Sequence, residues 1–167
     1  MPVALVSIGQ NFGGGIIAYI LQPGDPGYIA GETHGLIAAT EDQSTGIIWA
    51  KVAYQNVSVS GTLTTLGSGS ANTDKIIAQN GIGTTYAAAL ARAYFGGGYN
   101  NWYLPSKDEL NKLYLTNIIG FGSFAPTFYW SSSQYDADYV WGQNFSDGGQ
   151  LWTTKDITGH VRAVRTF

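Results

Sequence analysis

The chain has 167 residues and a mass of 17.8 kDa, enough for one domain with a hydrophobic core of its own. Only 11% of the residues are charged and the net charge is −3, so a clustered basic surface that binds nucleic acid is not expected. Cysteine is absent, which excludes disulfides, thiolate metal sites and a cysteine nucleophile.

The first ten residues, MPVALVSIGQ, lack the basic start and the long apolar run of a signal peptide. No apolar stretch approaches the length of a membrane span, so we expect no membrane insertion. If the protein acts outside a cell, we expect it to leave by lysis or in a virion, or its leader to be missing from the given chain.

The first part of the chain predicts short strands separated by turns. GGGIIAYIL, over residues 13–21, has the β-branched and aromatic residues of a strand, and the turn sequence QPGDPG follows it. HGLIAAT and GIIWAKVAY predict further strands. The Ser, Gly and Thr-rich stretch over residues 57–72 predicts a surface loop that carries a weak edge strand.

Two helices are predicted in the middle of the chain. The first begins at Asn72 or Thr73, which are suited to cap a helix, and ends at Gly81. The second is the Ala-rich stretch TTYAAALARAY, which begins near Thr84 and ends at the glycines that start with Gly96.

A third helix is predicted from Ser106. Ser106 and Glu109 have the S-x-x-E spacing of a capping box, and Leu110, Leu113 and Tyr114 form an apolar stripe. These features together predict an amphipathic helix that packs against a core.

No helix is expected after Leu115, since TFYWSSS, YVWGQNFS and HVRAVRTF all resemble strands. Alternation with polar residues predicts that Trp130, Trp141 and Val164 belong to the core. Strands, then helices, then strands predict an α+β fold with a mainly antiparallel sheet and two to three helices, in a single domain over residues 1–167.

A catalytic constellation is not visible. His34 and His160 are the only histidines, and neither has a partner at the spacing of a metal site or a triad. The acidic pairs are adjacent in sequence, so their side chains point apart. We therefore expect no enzyme activity, no cofactor and no metal.

Charged residues near the end of the chain have structural interpretations. The spacing of four aspartates is not that of a calcium loop, and turn positions are the favoured interpretation for Asp136, Asp138, Asp147 and Asp156. Arg162 and Arg165 alternate with apolar residues, which favours pairing with buried carboxylates or carbonyl groups.

Several segments carry a family resemblance over nearly the whole chain. These are HGLIAATEDQS, NWYLPSKDELNKLY, YWSSSQY, WGQNFSDGGQ and VRAVRTF. With them the chain resembles the family named for the C-terminal domain of the Legionella collagen-like adhesin. The resemblance implies a C-type-lectin-like fold, distantly similar to the formylglycine-generating enzymes, whose catalytic cysteines this chain lacks.

One branch of that family is similar to the variable proteins of diversity-generating retroelements, some of them from archaeal viruses, and this implies a C-terminal variable region at about 134–160. Randomised adenines in an Asn codon cannot yield Trp, Gln or Lys, and Trp141, Gln143, Gln150 and Lys155 coincide with scaffold positions of the family. Trp152 is the one predicted contact residue that the codon argument does not explain. The predicted ligand-binding residues are Asp136, Asp138, Tyr139, Gly142, Asn144, Asp147, Gly149, Leu151, Trp152, Thr153, Thr154, Asp156, Ile157, Thr158, Gly159 and His160.

Leu151, Trp152 and Ile157 are large apolar residues among glycines, threonines and aspartates, as in a displayed loop that offers contact area. The leading hypothesis is a non-enzymatic protein on a virion or cell surface that binds a macromolecular ligand. We expect this ligand to be a protein. The alternative is a constitutive adhesin domain that binds glycans or glycosaminoglycans, although the net negative charge disfavours anionic polysaccharides.

Overall fold

The computed structural model of the protein describes residues 6–167. The start of the chain, where no signal peptide is expected, lies partly outside the described residues. The α-helices in this range are α1 (Gly69–Asn80), α2 (Ala87–Ala93) and α3 (Lys107–Ile118), and a 3-10 turn spans Val52–Tyr54. The strands are β1 (Asn11–Phe12), β2 (Gly15–Ile20), β3 (Gly35–Ala38), β4 (Ser44–Ile48), β5 (Phe128–Gln134), β6 (Tyr139–Asn144), β7 (Gln150–Thr154), β8 (Thr158–Val161) and β9 (Val164–Thr166).

The strands form two sheets. The first has the order β1-β2-β3-β9 and is antiparallel throughout. The second has the order β4-β8-β5-β6-β7, in which only the contact between β5 and β8 is parallel. Three helices with mostly antiparallel sheets confirm the predicted α+β fold.

The largest side chains of the core are three tryptophans that are fully buried, Trp49, Trp102 and Trp130. Each indole N–H donates to a backbone carbonyl: Trp49 to Ser131 at 2.8 Å, Trp130 to Ile47 at 2.8 Å and Trp102 at 3.3 Å. Burial of these rings therefore leaves no indole N–H without a partner. Trp130 and Val164 confirm their predicted place in the core.

Helix α3 begins as predicted. Ser106 Oγ accepts a hydrogen bond from the Glu109 backbone N–H, and the Glu109 carboxylate accepts one from the Ser106 N–H at 2.8 Å. Glu109 is fully buried, and burial raises the pKa of its carboxyl group despite further hydrogen bonds from Gly67 and Tyr103. The capping box thus fixes the start of α3, which packs on β6 through a 2.8 Å hydrogen bond from Gln143 Nε2 to Asn111 Oδ1.

Both ends of the helical region differ from the prediction. Helix α1 begins at Gly69, earlier than the predicted start at Asn72 or Thr73, and Asn72 instead bonds the backbone of Leu63 from within the helix. Helix α3 continues past Leu115, where no helix was expected. Tertiary contact explains the added turn, because the buried Thr116 hydroxyl donates to the carbonyl of Ala18 at 2.6 Å.

The arginines have the structural role that the sequence favours. Arg162 Nε donates to the Asp42 carboxylate at 2.7 Å, and its other guanidinium nitrogens donate to backbone carbonyls. Arg165 lies 3.7 Å above the ring of Tyr99 and donates to Asn101 at 2.9 Å. These contacts tie the last strands to the loops around them.

Candidate functional site

Four aromatic side chains meet at the free edge of the second sheet, and we call Tyr135, Tyr139, Trp141 and Trp152 the aromatic patch. Tyr139 and Trp141 are two residues apart on β6, so they share one face of the sheet. Trp152 on β7 lies directly opposite Trp141. Its ring stacks on Tyr135 at 5.3 Å with an interplanar angle of 11°, and it meets the edge of Tyr139 at 4.8 Å.

The aromatic patch faces outward. Trp152 is 47% exposed and Tyr135 is 54% exposed, whereas Tyr139 and Trp141 are half-buried beneath them. The ammonium group of Lys107, at the start of α3, lies 4.2 Å from the centre of the Trp141 ring. Helix α3 therefore holds one side of the patch and places a positive charge against it.

A tight acidic turn lies next to the patch. Asp136 Oδ1 accepts hydrogen bonds from the backbone N–H of Asp138 at 2.9 Å and of Tyr139 at 2.8 Å. Asp138 Oδ1 accepts one from Asn56 Nδ2 at 2.7 Å. The turn is fixed by its own side chains, and both carboxylates remain exposed.

A buried lysine supports this turn from below. Lys155 Nζ donates to the carbonyls of Val57 at 2.8 Å and Ala137 at 2.5 Å, and to Gln134 Oε1 at 3.0 Å. Burial lowers the pKa of Lys155 to about 8, against the opposing charges of the two nearby aspartates. Three acceptors for three ammonium N–H groups make Lys155 a structural brace, consistent with its interpretation as a scaffold position.

The opposite end of the β6–β7 hairpin carries three more of the predicted residues, Asn144, Asp147 and Gly149. Asn144 Oδ1 accepts from Ser146, and Asp147 Oδ1 accepts from the Gly149 N–H at 2.8 Å. Two of the four aspartates, Asp136 and Asp147, thus confirm the turn interpretation. Within residues 6–167 no three acidic, histidine or cysteine side chains converge in a way that could hold a metal ion.

The structure divides the remaining predicted residues between different surfaces. Leu151 and Thr153 alternate with Trp152 along β7, so they point to the other face of the sheet. Asp156 and Ile157 are exposed in the turn after β7, and Thr158 is exposed on β8. Two strands, β5 and β6, separate β8 from β7, so Thr158 does not form one continuous patch with Trp152.

Three predicted contact residues do not reach the surface around the patch, namely Gly142, Gly159 and His160. Gly142 and Gly159 are buried, and a Cβ atom on either would press against the ring of Phe128. His160 is tied to Asp42 by a 2.8 Å contact and packs beside Tyr129. Their placement is explained by packing between strands rather than by display.

Residues 38–165 match the family described as Lcl C-terminal domain. The chain belongs to the Lcl C-terminal domain family. The matched range contains the whole aromatic patch and all the predicted contact residues. Membership supports a surface or secreted ligand-binding domain. A comparison with curated proteins finds no match, and none of the helices within residues 6–167 is long and apolar enough to cross a membrane.

In this member of the Lcl C-terminal domain family, sequence reasoning missed two parts of the site and misplaced a third. Tyr135 and Lys107 were not predicted as contact residues, and Trp141 was expected in the core but is half-buried in the patch. The spacing of Tyr139 and Trp141 by two was a signal of a shared face. The pairing of Trp141 with Trp152 requires the register of the sheet, which no local pattern contains.

Proposed function

We propose that the chain is a non-enzymatic recognition domain of a virion or cell surface, and that it binds a protein partner through the aromatic patch. The observation that carries this proposal is the exposure of Trp152, 47% of which is open to solvent on an edge strand. Exposed Trp and Tyr rings that are held by stacking offer large, rigid contact area at low entropic cost.

The polar groups around the patch support a protein partner more than a glycan. An exposed indole ring also suits a sugar ring, which makes glycan binding the second candidate. Sugar recognition needs several converging polar groups, however, and Oδ1 of Asp136 and of Asp138 already accepts internal hydrogen bonds. The cation that contacts the patch, Lys107, is engaged with Trp141, which gives little attraction for sulfated polysaccharides.

We also propose that the exposed part of the predicted set is diversified by a retroelement. The support comes from the retroelement-like branch of the family and from side chains that can change without disturbing the core. The test is the DNA beside the coding sequence. A near-copy of the last coding segment, beside a reverse transcriptase gene, should differ at adenines in exposed codons such as Asp138. It should match the coding sequence at Gly142, Gly159 and His160, whose side-chain space is filled.

The binding proposal is tested with a random-peptide library displayed on phage and selected on the immobilised domain. Because the library is random, the selected peptides should bind at the part of the surface where aromatic residues are exposed. A few such residues supply most of the binding free energy of an interface. Trp152→Ala should weaken the binding of the selected peptides by about 2 kcal/mol or more, chiefly because they dissociate faster.

The matched control is Phe95→Ala, because Phe95 is another exposed aromatic residue, 69% open to solvent, outside the patch. It should leave the affinity of the selected peptides unchanged. If both variants bind equally well, the patch is not the recognition surface. Binding of neutral or sulfated glycans on an array, lost in Trp152→Ala while no peptide is selected, would favour the adhesin alternative.

A further inference from the structure

The outer edge of β7 presents unpaired backbone groups. The Asn144 N–H donates to the carbonyl of Gly149 at 2.9 Å, and from there the β6–β7 register continues without a shift. Hydrogen bonding alternates along an antiparallel strand, so Leu151 and Thr153 bond to β6. The N–H and C=O groups of the alternate residues, Gln150, Trp152 and Thr154, therefore point away from the sheet. No backbone partner for these groups is recorded in the described range.

This edge lacks the usual features that prevent pairing. Natural sheets protect their edges with lysine, proline, a bulge or a covering segment. The sequence of β7 is QLWTT, with neither charge nor proline, and its register with β6 is regular over five pairs. The edge is therefore ready to accept one more strand.

We infer that the protein binds its partner by strand addition, in which an extended segment of the partner, with basic residues near its ends, pairs with the outer edge of β7. This rests on the proposed function and deepens it, because the added strand would lie beside Trp152 of the aromatic patch. Outward N–H and C=O groups in alternation match the spacing of an extended polypeptide backbone. Main-chain pairing also tolerates changes in the side chains around it, which suits a surface whose side chains differ between variants.

Charge identifies the segment as basic and disfavours a second copy of this chain. Asp147 lies in the turn before β7 and Asp156 in the turn after it, while Asp136 and Asp138 flank its far end. Two β7 strands paired about Trp152 would bring the turn with Asp147 of one copy against the turn with Asp156 of the other. Like charges would oppose that pairing, whereas lysine or arginine at both ends of a partner segment would favour it.

The test uses three synthetic peptides and the intact domain, followed by nuclear magnetic resonance. The first peptide is Lys-Thr-Val-Thr-Val-Thr-Lys, the second has glutamate in place of both lysines, and the third is the first with every backbone nitrogen between the two lysines methylated. The first peptide should shift the amide signals of Gln150, Trp152 and Thr154. The other two should bind at least about tenfold more weakly, because one has the wrong charge and the other has no N–H groups between its ends to pair along either edge.

Thr154→Pro tests the same edge from the side of the protein. It removes an outward N–H without removing a hydrogen bond to β6, and proline is tolerated on edge strands. With the fold verified by its amide spectrum, this variant should bind the first peptide at least about tenfold more weakly, whereas Thr154→Ala should bind it as the unmodified protein does.

Equal affinity of the methylated and unmethylated peptides overturns the inference. A dimer of the domain in sedimentation that Thr154→Pro abolishes overturns it as well. If Trp152→Ala loses the phage-selected peptides while Thr154→Pro retains both these and the synthetic peptide, the proposed function stands and strand addition fails.

Discussion

At the scale of single residues, burial separates the tryptophans that hold the fold from the one that is displayed. Trp130 is fully buried, donates to the Ile47 carbonyl and packs edge-on against Phe128. Trp152 keeps nearly half of its surface in water and contacts mainly other aromatic rings at the edge of the sheet. The same side chain is therefore part of the core at one position and exposed at the edge of the sheet at the other.

This difference predicts unequal losses of stability. Trp130→Ala should lower the free energy of unfolding by about 3–5 kcal/mol, because it leaves a cavity and an orphaned carbonyl. Trp152→Ala should cost about 1 kcal/mol, the contribution of its ring contacts. Denaturant titration of the two variants measures both values, and equal midpoints would contradict the division between core and display.

Lys155 predicts a pH dependence of stability. Burial lowers the pKa of Lys155 from 10.5 to about 8 in the folded protein, so between these values the unfolded chain binds the proton that the folded chain has lost. The free energy of unfolding should therefore rise as pH increases from about 8 towards 9.5, by less than about 1.4 kcal/mol per pH unit. Urea titrations should show this rise in the unmodified protein and not in Lys155→Met. If the free energy of unfolding changes with pH in the same way in both proteins, Lys155 is not its cause.

At the scale of elements, the β5–β6–β7 part of the second sheet is the unit that carries the aromatic patch, and close packing fixes its spacing. A Cβ on Gly142 would collide with the Phe128 ring and lie 2.6 Å from the backbone carbonyl of Tyr129. The ring could move, but the carbonyl is part of β5. Position 142 must therefore remain glycine for the strands to keep their register.

Gly142→Ala should therefore destabilise the protein by about 1–3 kcal/mol, the range for overpacked cores. The control is Gly46→Ala in β4, where an added Cβ would meet only Thr158 at an ordinary 3.8 Å. That change should leave the stability within about 0.5 kcal/mol of the unmodified protein. Thermal unfolding of the pair distinguishes a crowded position from a strand glycine in general, and a stable Gly142→Ala would restore position 142 to the variable set.

The elements that the sequence predicts well are those whose cause is local. The capping box of Ser106 and Glu109 lies within four residues, so it can be recognised from the sequence alone, and α3 begins where expected. By contrast, QLWTT looks like a displayed loop because its exposure on both faces removes the alternation of a buried strand. Only its pairing with β6 makes it a strand and brings Trp152 against Tyr135, whereas Lys107 reaches the site through the contact of α3 with β6.

At the scale of the whole molecule, the two sheets present different surfaces. The first sheet and the loops around it line an open cavity of about 530 Å³ beside Leu36, Leu66 and Phe167. None of the predicted contact residues lines that cavity. The free edge of the second sheet carries the exposed rings of Tyr135 and Trp152 and most of the C-terminal aspartates, and this is the end of the molecule where we propose that recognition takes place.

Hydrogen exchange of the domain in complex with a phage-selected peptide tests this assignment most directly. The amides of Gln150, Trp152 and Thr154 point outward and should exchange fast in the free protein. On binding, residues 135–141 and 150–154 should become protected, while residues 21–36 beside the cavity should exchange as before. Protection of residues 21–36 with none at 150–154 would place the recognition surface on the first sheet and contradict the account.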